Sequence, residues 1–130
     1  MKLEELNIIS GKILDSAIEV HKQLGSGLLE SVYEACLCKE LDIRKIKYRR
    51  QVPVPIFYKG EKVNSDLKID VLVENEVIIE LKSVETVIPV FKSQLLSYLR
   101  LAGKRLGLLI NFNVSKLLDG YSRVINGYDD

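Results

Sequence analysis

Two short stretches of alternating apolar residues, separated by three polar residues, constrain the fold of this 130-residue chain most strongly. The first stretch is apolar at the odd positions of 67–73, the second at the odd positions of 77–81, and residues 74–76 lie between them. Alternation with a period of two is typical of strands with one buried face, so this segment predicts a β-hairpin. Because the odd positions must share that buried face, Val73 is predicted to pair with Val77.

The same register determines which residues share the opposite face of the hairpin. Asp70 is predicted to lie directly across from Glu80, with Lys82 two residues further along the second strand. Opposed carboxylates with Cβ atoms about 5 Å apart repel each other. Lys82 supplies one compensating charge, and a divalent cation such as Mg²⁺ would supply the rest. The alternative is a solvated face on which Lys68 and Lys82 balance the acids.

The chain before the hairpin begins with helical periodicity. Apolar residues recur at spacings of three and four over Leu6–Leu24 and again from Leu29 to Asp42, which predicts two amphipathic helices. Over Tyr48–Tyr58 the period becomes two and predicts a strand. Pro53 and Pro55 remove two amide donors on one side of that strand, so it is expected at a sheet edge.

The hairpin strands are predicted over Lys62–Val73 and Val77–Val84, and further elements follow them. Pro89–Ala102 is a predicted helix, with proline in its first turn. Leu106–Asn111 is almost wholly apolar, which favours a strand buried on both faces and paired in parallel through the helical crossover. A last strand is predicted over Tyr121–Ile125. The sequence therefore predicts one mixed-sheet α/β domain over the whole chain, 1–130.

Composition narrows the classes of function. The formal net charge of +1 excludes a strongly basic protein, so any binding of nucleic acid must depend on a local basic patch. Cys36 and Cys38 are too poorly placed to bridge each other and are expected to be reduced. His21 is the sole histidine, which argues against a zinc site and favours a structural role. No stretch could span a bilayer and no signal peptide precedes the first helix, so a cytoplasmic protein is expected.

Five cations occur within seven residues that lead into the predicted edge strand, namely Arg44, Lys45, Lys47, Arg49 and Arg50. Charge on an edge strand blocks aggregation between sheets. The same residues could bind phosphates beside the acidic pair. Both interpretations stay open, and one does not exclude the other.

The hairpin residues resemble a known family. Asp70, Glu80 and Lys82 match the D…E-x-K core of the PD-(D/E)XK nuclease superfamily, and the predicted order matches its α-β-β-β-α-β core. Gln94 and Tyr98 resemble the Q-x-x-x-Y helix motif of its RecB-like branch. The segment GLLESVY, residues 27–33, fits the G-x-x-E-x-x-Y signature of a small bacterial and archaeal family within it. The resemblance implies a restriction-endonuclease-like fold from about residue 6 to about residue 125.

The resemblance also implies a chemistry, metal-assisted hydrolysis of phosphodiester bonds, with DNA favoured over RNA and Mg²⁺ or Mn²⁺ as cofactor. Lys82 would position the attacking water and stabilise charge on the scissile phosphate. Gln94 and Tyr98 would line the active site. The implied metal ligands are Asp70, Glu80, the backbone carbonyl of Leu81 and, as an extra metal or water ligand, Glu30.

Each motif residue outside the hairpin also has a structural interpretation. Glu30 lies in the first turn of the second helix, where the helix dipole favours a carboxylate. Tyr33 is expected to be a core residue with a polar tip. Gln94 and Tyr98 are four residues apart and could pin their helix to the sheet. At the level of the whole chain, the rivals are an inactive nucleic-acid- or protein-binding module and an enzyme for another phosphodiester. The formation of a homodimer is also compatible with the sequence.

Overall fold

The computed structural model describes residues 1–127, so only residues 128–130 of the predicted domain lie outside it. The helices are α1 Leu3–Leu24, α2 Glu30–Ile43 and α3 Pro89–Ala102. The strands are β1 Tyr48–Pro53, β2 Ile56–Tyr58, β3 Glu61–Val63, β4 Lys68–Val73, β5 Val77–Lys82, β6 Leu106–Asn111 and β7 Tyr121–Ile125. A 3₁₀ turn, Leu117–Gly120, precedes β7. None of the helices in this part of the chain is long and apolar enough to cross a membrane.

Five strands form one mixed sheet in the order β1-β4-β5-β6-β7. β5 and β6 are parallel and are connected through α3, whereas the other neighbours are antiparallel. Every residue of β6 is buried, as its apolar sequence predicted. The mixed α/β architecture with flanking helices, consistent with a restriction-endonuclease-like fold, is thereby confirmed.

Each face of the sheet carries its own apolar core. Helices α1 and α2 cover the face that includes Val71 and Ile79. Helix α3 covers the other face, where Leu95 and Leu99 pack against Ile78. The backbone of β6 approaches α3 so closely that a Cβ at position 107 would lie 2.8 Å from a methyl carbon of Leu95. The glycine there lets α3 lie flat on the sheet.

The strands next to the hairpin are shorter than predicted. The expected strand Tyr48–Tyr58 is interrupted between β1 and β2, because the prolines at 53 and 55 cannot donate and Val54 instead donates to the Leu67 carbonyl at 2.9 Å. The expected strand Lys62–Val73 is likewise divided, since the Leu67 N–H donates to the Ser65 hydroxyl at 3.0 Å rather than to a neighbouring strand. β1 is nevertheless an edge strand, as the prolines predicted.

The end of β5 also differs from the prediction, which extended that strand to Val84. β5 ends at Lys82. The backbone of Val84 is bound instead by the Asn111 side chain, which accepts its N–H at 3.1 Å and donates to its carbonyl at 2.9 Å. A side chain thus replaces a strand partner at this position.

The predicted hairpin register is confirmed, since Val73 pairs with Val77 and Val71 with Ile79. The expectation that all odd positions share one face is wrong at Leu67 and Ile69, which pack in the α3 core together with Leu72.

The change of face occurs where β4 meets the edge strand. Gln51 has a positive φ of 49°, and the ladder between β1 and β4 omits the position where Gln51 would face Asp70. Beyond that gap Val52 pairs with Ile69, and both contribute to the α3 core. The side chains of β1 and β4 therefore change faces at the same point, which is Gln51 in β1 and Asp70 in β4.

Candidate active site

Asp70 and Glu80 lie directly beyond Val71 and Ile79, the last residues that pair between β4 and β5, and are linked through their side chains. The Asp70 N–H donates to Glu80 Oε1 at 3.3 Å, and the Leu81 N–H donates to Asp70 Oδ2 at 2.9 Å. Each carboxylate therefore accepts a backbone N–H from the neighbouring strand. The expected juxtaposition of the two acids is present.

The electrostatics of the pair are unfavourable for two negative charges. Burial, reinforced by the charge of Asp70, raises the pKa of Glu80 from 4.5 to about 8. Lys82 lowers that pKa, but its effect is smaller than those of burial and Asp70. One proton or one cation would relieve the repulsion between the carboxylates.

Lys82 lies beside the acids without forming an ion pair with any residue of the described chain. Its Nζ atom lies 4.4 Å from the centroid of the Phe91 ring, in a cation–π arrangement. Phe91 belongs to the first turn of α3 and is half-buried. The ammonium is thus held at the junction of β5 and α3 and does not neutralise the carboxylates by contact.

Glu30 approaches the pair from the opposite helix layer. It is the first residue of α2, and partial burial together with the charge of Asp70 raises its pKa, which Lys82 opposes. Within residues 1–127, however, Asp, Glu, His and Cys side chains form no group of three that could hold a metal ion. Direct metal ligation by Glu30 therefore stays a prediction.

The start of α2 is fixed by Tyr33. Its side chain is fully buried and stacks on Phe112, with ring centroids 4.5 Å apart. Its hydroxyl donates to the Gly25 carbonyl at 2.6 Å and accepts the Leu28 N–H at 3.2 Å. The Ser83 hydroxyl donates to the Leu28 carbonyl. The predicted core role of Tyr33 is confirmed. Its polar tip ties the loop before Glu30 to α2, and Ser83 ties the same loop to the residue after β5.

Helix α3 presents the last two motif residues. Tyr98 is half-buried, and its pKa is raised by burial and by the charges of Glu80 and Asp70. Tyr98 therefore lies within the electrostatic reach of both acids. Gln94, one turn earlier, is exposed and makes no hydrogen bond within the described residues. The structure thus brings Tyr98 to the site and leaves Gln94 on the solvent side of α3.

The sequence was compared with models of known protein families. The model described as the PD-(D/E)XK nuclease superfamily matches residues 7–124. This chain belongs to that superfamily. Neither the curated proteins nor the solved structures gave a significant match.

In this PD-(D/E)XK protein the basic run lies toward the hairpin turn and away from Lys82. The Arg49 guanidinium donates to Asn75 in that turn at 3.2 Å. Two cations of the run are already paired, Arg44 with Glu40 at 2.7 Å and Arg50 with Glu34 at 3.0 Å. Phosphate binding therefore stays a prediction, and its best candidates are Lys45, Lys47 and Arg49, whose side chains have no acidic partner in the described part of the chain.

Two buried polar residues near the candidate active site, Glu34 and Asn111, were not predicted from the sequence. Glu34 accepts hydrogen bonds from Arg50 at 3.1 Å and from Gln51 at 2.8 Å, which anchors α2 to the irregular part of β1. Asn111 fixes Val84, two residues after the end of β5. The sequence offered one signal for each residue. Asn111 is a polar residue at the end of the otherwise apolar β6, and Glu34 is an acid one helical turn after Glu30.

His21 has the structural role that its isolation predicted. Its Nε2 atom lies 2.8 Å from the Val114 carbonyl and therefore carries the proton. The ring is also near Phe112, with centroids 6.5 Å apart. Cys36 and Cys38 are both free.

Proposed function

We propose that this chain is a metal-dependent nuclease that hydrolyses phosphodiester bonds in nucleic acid, with DNA ahead of RNA as substrate. Superfamily membership supports nuclease activity in general. The observation that carries the proposal for this chain is the Asp70–Glu80 carboxylate pair, with Lys82 on the same strand as Glu80. These residue types, in this arrangement, suit phosphodiester hydrolysis.

The carboxylate pair fits a divalent cation. Mg²⁺ prefers one or two protein carboxylates plus waters and substrate phosphate oxygens, so a third acidic ligand is not required. The raised pKa of Glu80 indicates that the second negative charge lacks compensation within the chain. Asp70, Glu80 and the backbone carbonyl of Leu81 would hold Mg²⁺ or Mn²⁺. The bound ion would lower the pKa of water and neutralise charge in the transition state.

Lys82 would act on the attacking water and on the scissile phosphate. An ammonium on a flexible stem offers three donors, which suits both tasks. Lys82 forms no ion pair within residues 1–127, so its donors are available there, which supports this role. Glu30 would accept a hydrogen bond from a water molecule at the site. Tyr98 and Gln94 would contact the substrate from α3.

We also infer that the chain belongs with proteins bearing the G-x-x-E-x-x-Y signature and the RecB-like Q-x-x-x-Y motif. Support for the first comes from the hydrogen bonds of Tyr33, which hold the loop that begins α2. Support for the second comes from the raised pKa of Tyr98, which reports its proximity to both acids.

The decisive experiment is a cleavage screen with Mg²⁺ and Mn²⁺ against labelled single-stranded, double-stranded and branched DNA and RNA. Lys82→Ala should abolish metal-dependent cleavage. Lys22→Ala, which removes an exposed lysine from the last turn of α1, is the matched control and should cleave like the wild type. Binding without cleavage would favour the inactive module, and cleavage of nucleotides alone would favour another phosphodiester substrate.

A further inference from the structure

A small hairpin is formed within the segment that joins β1 to β4. β2 and β3 pair only with each other and form a separate two-stranded sheet. The hairpin is inserted between Pro53 and Lys68, which pair at the end of the β1–β4 ladder. Because β2 begins three residues after Pro53, its first residue lies within about 11 Å of that pair. Lys68 is two residues from Asp70, so the hairpin adjoins the proposed active site.

The hairpin exposes large apolar side chains that a separate two-stranded sheet cannot bury. Phe57 is 62% exposed, Tyr58 66% and Val63 44%. Isolated exposed apolar residues are common. Phe57 and Tyr58 are neighbours in one strand, so their side chains point to opposite faces and give each face of the hairpin one exposed aromatic ring. Their burial would require an external ligand.

Each of the two rings has a lysine close to it. Lys59 Nζ lies 5.5 Å from the centroid of the Tyr58 ring. Phe57 pairs directly with Lys62 across the hairpin, and directly opposed residues of an antiparallel pair share one face. Tyr58 pairs in the same way with Glu61, so the face of Phe57 combines its ring with a cation, and the face of Tyr58 combines its ring with Lys59 and an acid. Flat apolar rings beside cations match nucleobases joined by phosphates.

We propose that the β2–β3 hairpin binds a single-stranded segment of nucleic acid next to the scissile phosphate, an inference that rests on the proposed function for its ligand. Phe57 and Tyr58 stack on bases, and Lys59 and Lys62 contact the adjoining phosphates. A single strand fits better than a duplex, because the bases of a duplex are stacked on each other and do not offer their faces. The hairpin therefore directs the enzyme toward single-stranded or unpaired regions.

The first test uses the lack of tryptophan in the chain. Phe57→Trp introduces one fluorophore at the proposed stacking position, and Ile8→Trp introduces one on α1 at a residue that is also 62% exposed. Both variants are titrated with oligo(dT) and with a DNA duplex in EDTA, which prevents metal-dependent cleavage. We expect strong quenching of the tryptophan at 57 by the single strand, weaker quenching by the duplex, and little change at position 8. Equal responses at both positions would overturn the proposal.

The second test measures function with the ligand-facing rings removed. The double substitution Phe57→Ala and Tyr58→Ala should weaken single-strand binding by roughly tenfold or more, since each stacked base contributes about 1–3 kcal/mol. With metal present, KM should rise and kcat should change little, whereas Ile8→Ala should alter neither. If the wild type cleaves and the double variant has the same affinity and KM as the wild type, the hairpin proposal is refuted and the proposed nuclease function is not.

The remaining outcomes separate the two proposals. Quenching of the tryptophan at 57 by oligo(dT), together with a wild type that cleaves no substrate, would leave the hairpin proposal standing and refute nuclease activity. A wild type that neither binds nor cleaves nucleic acid would refute both. Sedimentation that shows a wild-type dimer, and a monomer for the double alanine variant, would assign the hairpin to self-association and overturn the proposal.

Discussion

Replacing Glu80 by glutamine should stabilise the metal-free protein at neutral and alkaline pH, although it removes a proposed metal ligand. The pKa of Glu80 is raised from 4.5 to about 8. Between those values the folded protein binds more protons than the unfolded chain, so stability is complete below pH 4.5 and falls as the pH rises toward 8. Glutamine does not titrate. Its carbonyl can accept the Asp70 N–H, and its amide can donate to the Asp70 carboxylate, as a protonated Glu80 would.

The size of the effect follows from linkage. Each pKa unit corresponds to about 1.4 kcal/mol of difference between the two protonation states. Integrated from the ordinary to the raised pKa, the cost of Glu80 to folding is about 3 kcal/mol at pH 7 and about 5 kcal/mol at pH 9. The variant should therefore match the wild type at acidic pH and exceed its free energy of unfolding by those amounts at higher pH.

Urea unfolding followed by circular dichroism, in EDTA at pH 4.5, 7 and 9, measures the free energy of unfolding of both proteins. Glu85→Gln removes an exposed acid three residues beyond Lys82 and controls for the change in net charge. If the difference between Glu80→Gln and the wild type does not vary with pH, Glu80 is not a destabilised titrating acid, and the reasoning fails.

Three further predictions concern the metal, the lysine and the basic run. Mg²⁺ at about a hundred times its dissociation constant should stabilise the wild type by roughly 2.7 kcal/mol in thermal melts, and Asp70→Asn should lose most of this gain, whereas Lys82→Ala should keep it while losing cleavage. Phe91→Leu should lower kcat about tenfold with little change in KM, because the Lys82 ammonium loses its ring partner, and Phe91→Tyr should retain activity in the same assay. Arg49→Gln should flatten the salt dependence of DNA binding, measured by fluorescence anisotropy, whereas Arg50→Gln should mainly lower stability in urea, since it leaves a buried carboxylate without its cation. A constant melting temperature with metal, an unchanged kcat or an unchanged salt slope would contradict each in turn.

The sequence predicted the elements whose pattern is local. Pro89–Ala102, Leu106–Asn111 and Tyr121–Ile125 have the predicted bounds, because the first begins with proline and ends before a glycine, and the second has an apolar residue or glycine at nearly every position. The register of the central hairpin was equally accessible, since only one pairing buries both odd-numbered sets. The opposition of Asp70 and Glu80 follows from that register.

The features that were missed depend on contacts between distant segments. Ile69 changes face next to Gln51, a residue of another strand with a positive φ, and no local pattern around Ile69 encodes this. The hydrogen bonds that occupy Arg50 join β1 to α2, and charge counting along the chain cannot anticipate them. Asn111 ends β6 and also determines where β5 ends, through contacts with Val84. Periodicity predicts which face of an element a residue occupies, but it does not predict the hydrogen-bond and packing partners that come from other helices and strands.

The hydrogen bonds from the Asp70 and Leu81 amides to carboxylates have a consequence for hydrogen exchange. Protection of these amides depends on carboxylate oxygens that a bound cation would compete for, whereas protection of ordinary strand amides depends on backbone carbonyls. The protection factors at these two positions should therefore respond to metal, while those of the neighbouring amides of β4 and β5 do not. The two amides are natural reporters of site occupancy, and they can be read by NMR without labelling the substrate or altering any residue.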